Sequence, residues 1–120
     1  MDSRQRATLA FLCGCMSAHG RQRYSSIYDY SMHTYVSCNY TENGGNISIY
    51  DYRRGCYMSG RFPSFYDYGV GKYISLNRNG SNSYSVYDYN MGHYLNVTCN
   101  GNSISVYDYS VGQYFNYQIS

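Results

Sequence analysis

Charge is scarce in this chain: Asp, Glu, Lys and Arg make up only 13% of its 120 residues and leave a formal net charge of +2. That balance excludes both the basic footprint of a nucleic-acid-binding domain and the self-repulsion of a disordered acidic chain. Nine basic residues are present, and none lies in the last two copies of the repeat described below, so Tyr stacking on a nucleic acid would lack its cations there. Phenylalanine is scarce as well, 4 residues against 19 Tyr, so much of the nominally apolar 43% carries a hydroxyl and the aliphatic core is expected to be thin. Catalytic groups are missing in any arrangement that suggests chemistry. His33 and His93 fall in or beside turns in separate repeats, no Ser-His-Asp set can be drawn, and no cofactor loop is present, so neither an enzyme nor a cofactor is expected. Cys13-x-Cys15 with His19 lacks a fourth ligand, and no metal site is expected.

What the chain does have is a repeat. Tyr-Asp-Tyr occurs at Tyr28-Asp29-Tyr30, Tyr50-Asp51-Tyr52, Tyr66-Asp67-Tyr68, Tyr87-Asp88-Tyr89 and Tyr107-Asp108-Tyr109. Each copy ends on a further Tyr seven positions after its first, at Tyr35, Tyr57, Tyr73, Tyr94 and Tyr114. Two places before that Tyr stands Gly55, Gly71, Gly92 or Gly112, with His33 in the first copy. A four-residue hairpin loop whose last residue is left-handed explains both, because Gly costs least there and His is among the few other residues enriched in that region. The Asp then precedes the turn, where its carboxylate can accept a hydrogen bond from a turn N–H. All five are read as turn-formers rather than as functional carboxylates.

This loop fixes a register. In the last copy it pairs Tyr107 with Tyr114, Val106 with Phe115 and Ile104 with Tyr117, giving one aliphatic face and one face of Tyr with Ser or Asn. The other copies pair Ile27 with Val36, Ile49 with Met58, Phe65 with Ile74 and Val86 with Leu95. Asn43-Gly44-Gly45, Arg61-Phe62 before Pro63, Asn79-Gly80 and Asn100-Gly101 serve as connectors. Reading Asn100-Gly101 as a two-residue turn pairs Cys99 with Asn102, Leu95 with Val106 and Tyr94 with Tyr107, and predicts ten tyrosines in one row across the sheet. The expected fold is therefore all-β: five tandem β-hairpin repeats forming a ten-strand antiparallel meander, closed as a collapsed barrel or folded as a sandwich. Over eight residues per copy the motif resembles the inner hairpin of kelch-like propeller blades. Those blades have four strands and roughly twice this period, so no propeller function carries over.

Residues 1–23 stand outside the repeat. Arg4 and Arg6 precede an apolar run at 7–14, the layout of a secretory leader, and that run is too short to span a bilayer as a helix. Leu12-Cys13-Gly14-Cys15 resembles a bacterial lipobox, which implies lipidation of Cys15, a membrane tether and export to the periplasm, cell surface or medium. The alternative is an apolar strand or helix that covers one end of the sheet or lies against its apolar side. The expected division is a leader over 1–23 and a five-hairpin domain over 24–120. After cleavage Cys38, Cys56 and Cys99 would remain, an odd number.

Two functional expectations follow. The first is a structural or adhesive binding module whose outward Tyr face, Tyr66, Tyr73, Tyr87, Tyr94, Tyr107 and Tyr114, engages a glycan or a protein surface. The second is a carrier that holds an apolar ligand inside a barrel lined by Phe65, Ile74, Leu76, Val86, Leu95, Val106 and Phe115. The sequence leaves the oligomeric state open.

Overall fold

A computed structural model of the chain describes residues 1–19 and 23–120. One helix is followed by ten strands: α1 (Ser3–Ser17), β1 (Ser26–Asp29), β2 (Thr34–Asn43), β3 (Asn46–Asp51), β4 (Cys56–Arg61), β5 (Ser64–Asp67), β6 (Lys72–Arg78), β7 (Ser83–Asp88), β8 (His93–Asn100), β9 (Ser103–Asp108) and β10 (Gln113–Ile119). The strands pair antiparallel in chain order, and β1 pairs with β10 to close a barrel. The hairpin repeat, the meander and the all-β class are thus as the sequence predicts.

The five hairpin loops fall at 30–33, 52–55, 68–71, 89–92 and 109–112, as the motif places them. Their last residues are left-handed, with φ of +52° at His33, +67° at Gly55, +70° at Gly71 and Gly92, and +65° at Gly112. Within each hairpin the predicted register holds: Tyr107 opposes Tyr114, Val106 opposes Phe115 and Ile104 opposes Tyr117.

The register between hairpins differs from the expected one. Across the last connector Asn100 opposes Ser103 and Cys99 opposes Ile104, so Leu95 faces Asp108 and not Val106, and Tyr107 faces Asn96 and not Tyr94. The turn is Gly101-Asn102. Gly101, at φ +59°, takes the first central position, where glycine serves a type II′ turn. A slip of two residues preserves which face each side chain occupies. It displaces the tyrosines, however, so they form no single row. The stagger is two residues at the β4–β5, β6–β7 and β8–β9 seams and four at the β2–β3 and β1–β10 seams, and a cumulative stagger of this kind is what tilts strands enough to close a sheet on itself.

Closure creates an interior that strands with two or three inward apolar residues cannot fill, and the chain fills it with α1. Asp2 caps the helix by accepting a hydrogen bond from the Gln5 N–H at 2.8 Å. From Gln5 to Cys15 every residue is buried, which suits a helix surrounded on all sides. Leu9, Phe11 and Leu12 are fully buried in one cluster with Ile27, Ile49, Phe65, Ile74, Val86, Leu95, Val97 and Val106. The helix lies close against the wall at Gly14, where an added Cβ would lie 2.6 Å from Ile104 Cδ1 and 2.7 Å from Ile119 Cδ1. Of the two expected closures the sheet takes the barrel, and α1 fills its interior. Within the segment read as a leader, residues 3–17 form this helix; residues 20–22 lie outside the described residues. No described helix is long and apolar enough to cross a membrane.

Candidate functional site

Each hairpin carries the same outward cluster. The first Tyr of the motif stands on the outer face of its strand and meets two others edge-on, the Tyr opening the loop and the Tyr across the hairpin. For Tyr107 the partners are Tyr109 and Tyr114, with ring centroids 4.8 and 4.7 Å away. Tyr87 meets Tyr89 and Tyr94, each at 4.8 Å, and Tyr66 meets Tyr68 and Tyr73, each at 4.8 Å. Tyr28 with Tyr30 and Tyr35, and Tyr50 with Tyr52 and Tyr57, complete five triads. The first Tyr is half-buried under the other two, which remain exposed: Tyr73 by 54%, Tyr94 by 58% and Tyr114 by 70%.

The six tyrosines singled out from the sequence therefore all face outward, yet they are grouped by hairpin and do not merge into one face. Across each seam the first Tyr of a triad meets a polar residue: Tyr107 opposes Asn96, Tyr87 opposes Ser75, Tyr66 opposes Ser59, Tyr50 opposes Asn39 and Tyr28 opposes Gln118. Aromatic clusters alternate around the barrel with strips of hydroxyl and amide. The loop tyrosines Tyr30, Tyr52, Tyr68, Tyr89 and Tyr109 are absent from the sequence-derived set, although their repetition in all five copies was the available signal. One is tied to the next hairpin, since Asn96 Nδ2 donates to the Tyr109 hydroxyl at 2.8 Å.

The inner face at the loop end is different in kind. Strand alternation puts each repeated Asp on the aliphatic side, and all five are fully buried. One oxygen does what the sequence predicts. Asp29, Asp51, Asp67, Asp88 and Asp108 each accept through Oδ1 from the N–H two residues ahead, at 2.9, 2.8, 2.8, 2.9 and 3.0 Å respectively. The second oxygens of Asp51, Asp88 and Asp108 face α1 or a cationic group, while those of Asp29 and Asp67 are buried without a hydrogen-bond partner among the described residues. The Thr8 hydroxyl donates to Asp51 Oδ2 at 2.7 Å, Arg6 Nε lies 3.5 Å from Asp108 Oδ2, and Arg54 Nη2 donates to Asp67 Oδ1 at 2.7 Å. The Met1 amine lies 3.7 Å from Asp88 Oδ2, and the His93 ring sits between Asp88 and Asp108, 3.7 and 3.6 Å from their carboxylates. Burial pushes the Asp108 carboxyl up, but hydrogen bonds from Ser110 and the positive charges of the Met1 amine and Arg6 outweigh it and hold the group below the usual carboxylate range. This second role of the Asp residues follows from their shared parity with Val106 and its equivalents, which the turn reading overlooked. Among the described residues no group of three or more His, Cys, Asp or Glu is placed to hold a metal ion.

The thiols lie on the inner side of the wall and on α1. Cys13, Cys15, Cys38 and Cys99 are buried and Cys56 is partly so, all five as free thiols. Burial raises every one, with neighbouring Cys99 adding to the shift at Cys15, which is pushed up to about 12. Cys15, the residue singled out for lipidation, is 3% exposed on α1. The residues proposed as a carrier lining all face inward and belong to or pack on the buried cluster that includes α1; Phe115 is half-buried, with the Arg6 guanidinium 3.6 Å from its ring centroid. Comparison with protein-family models, with curated proteins and with solved structures finds no match in any of the three.

Proposed function

We propose that the protein is a binding module and that its outward tyrosine triads engage a glycan. The observation that carries this reading is the alternation of exposed Tyr clusters with Ser, Asn and Gln strips around the wall. A pyranose ring offers an apolar C–H face to stack on an aromatic ring and a rim of hydroxyls to hydrogen-bond, and each seam supplies both kinds of group side by side. Tyr presents that surface at small entropic cost, having only two side-chain torsions to fix. Cross-strand aromatic pairs also stabilise a sheet, by roughly 0.2–1 kcal/mol each. That role needs contact between rings and no exposure, whereas Tyr35, Tyr73, Tyr94 and Tyr114 leave more than half of their surface in water.

The carrier reading has less support, because α1 occupies the space an apolar ligand would need. An exported module of this kind would have to carry α1 with it, since cleavage before Cys15 removes Leu9, Phe11 and Leu12 from the core.

The test is a glycan array probed with the natural protein and with the Tyr87→Ser, Tyr94→Ser double variant, whose folding is checked by thermal unfolding. Two stacked rings are worth about 1–3 kcal/mol together, so the variant's signal should fall well below that of the natural protein on the glycans it recognises. Equal signals from two folded proteins would leave the tyrosines a structural role only.

A further inference from the structure

We infer, resting on the glycan reading, that the partner is an uncharged polymer whose repeating units lie in successive seams at once. Three shallow clefts of closely similar size follow one another around the wall. The first, about 470 Å³, is bordered by Tyr66, Lys72, Tyr73, Ser75 and Tyr89. The second, about 490 Å³, lies over the β6–β7 seam between Ser75, Asn77, Ser85, Tyr87, Tyr89 and Tyr94. The third, about 510 Å³, lies over the β8–β9 seam between Asn96, Thr98, Ser105, Tyr107, Tyr109 and Tyr114. Ser75 and Tyr89 border both of the first two. The second ends at Tyr94 and the third begins at Asn96, two residues along β8, so the three make a continuous path.

The repetition selects a repeating partner. Equivalent points on successive hairpins are two strand spacings apart, about 10 Å, and the two-residue stagger adds a component along the strand, for a separation of roughly 12 Å. A few units of an extended glycan cover that distance. One sugar in one open cleft touches too few rings to overcome the cost of association. Units joined in a chain meet the second and third clefts at high effective concentration, which multiplies affinity without any new kind of contact. Charge selects a neutral partner: Lys72 is the one charged residue bordering the three clefts, and the third has Tyr, Asn, Ser and Thr alone.

Titration calorimetry with neutral oligosaccharide series from chitin, cellulose and mannan, each from disaccharide to octasaccharide, tests the inference, with polygalacturonate as the anionic comparison. In the series that binds, affinity should rise at least a hundredfold between disaccharide and octasaccharide and should change little between 50 and 500 mM NaCl. Tyr89→Ser, at a residue that borders two clefts and is 56% exposed, should weaken octasaccharide binding at least tenfold while changing disaccharide binding less than threefold. Affinity independent of length would overturn the polymer inference and leave the glycan reading standing. Salt-sensitive preference for polygalacturonate would overturn the neutral partner. No binding in any series would overturn the glycan reading together with the inference.

Discussion

Tyr107 lies opposite Tyr114 within its hairpin and opposite Asn96 across the seam, so one ring forms the boundary between an aromatic cluster and a polar strip. The same juxtaposition recurs at Tyr87, between Tyr94 and Ser75, and at Tyr66, between Tyr73 and Ser59. It arises from two unlike turns: a four-residue loop that aligns the tyrosines of one hairpin, and connectors whose stagger separates them from those of the next. The outer wall is in this way divided into discrete units by the same register that closes the barrel.

The buried Asp108 carboxylate makes stability depend on acid. Asp108 is held below its ordinary range in the folded chain, against about 3.9 when unfolded. Its contribution is therefore fully present above the unfolded value and is lost as pH falls through the lower folded value. Thermal melts from pH 6 down to pH 2 should show a falling midpoint with its steepest part below pH 4, and Asp108→Asn should flatten that part of the curve. An unchanged profile in the variant would remove Asp108 from the account.

Asp88→Ala should cost on the order of 1–3 kcal/mol, because it removes the hydrogen bond to the Asn90 N–H and leaves the Met1 amine and His93 with fewer carboxylate partners. Urea unfolding measures this directly. Glycan binding, read on the outer wall, should be unchanged.

Deleting residues 1–17 should prevent folding. Leu9, Phe11 and Leu12 alone bury side chains worth about 1.5–3 kcal/mol each, a sum comparable to the whole stability of a small domain, roughly 5–15 kcal/mol. The truncated chain should lose near-ultraviolet circular dichroism and bind a hydrophobic dye, and the intact mass of the purified natural protein should include α1. A truncated chain that melts cooperatively would show that the strands fill their own interior, as a collapsed barrel would.

Much of this architecture was legible in the residues. The Gly or His ending each loop and the Tyr pairs around it specified the hairpins and their register, because a left-handed position and a two-residue alternation leave few solutions. The connector register was not legible: Asn100-Gly101-Asn102 admits glycine at either central place of a two-residue turn, and only the tilt needed for closure decides between them. The place of α1 was equally hidden, since the short apolar run at 7–14 meets the requirements of a leader as well as those of a core helix. Of the site, the outward tyrosines were readable from alternation, while their division into triads depended on the connectors.

Thiol chemistry separates inside from outside. At pH 8 an aromatic disulfide reagent should modify Cys56 first and leave Cys13, Cys15, Cys38 and Cys99 untouched until the protein is denatured, since burial keeps those thiols protonated. Rapid reaction of all five in the native protein would mean that the barrel opens readily.

The central claim, that the partner binds the outer wall, is tested most directly by mapping amide and tyrosine-ring chemical shifts as the best glycan from the array is titrated in. The account predicts shifts at Tyr87, Tyr94, Asn96, Ser105, Tyr107 and Tyr114, with Leu12, Val86 and Val106 unmoved. Shifts concentrated at Leu12, Val86 and Val106, with the outer tyrosines unmoved, would contradict it.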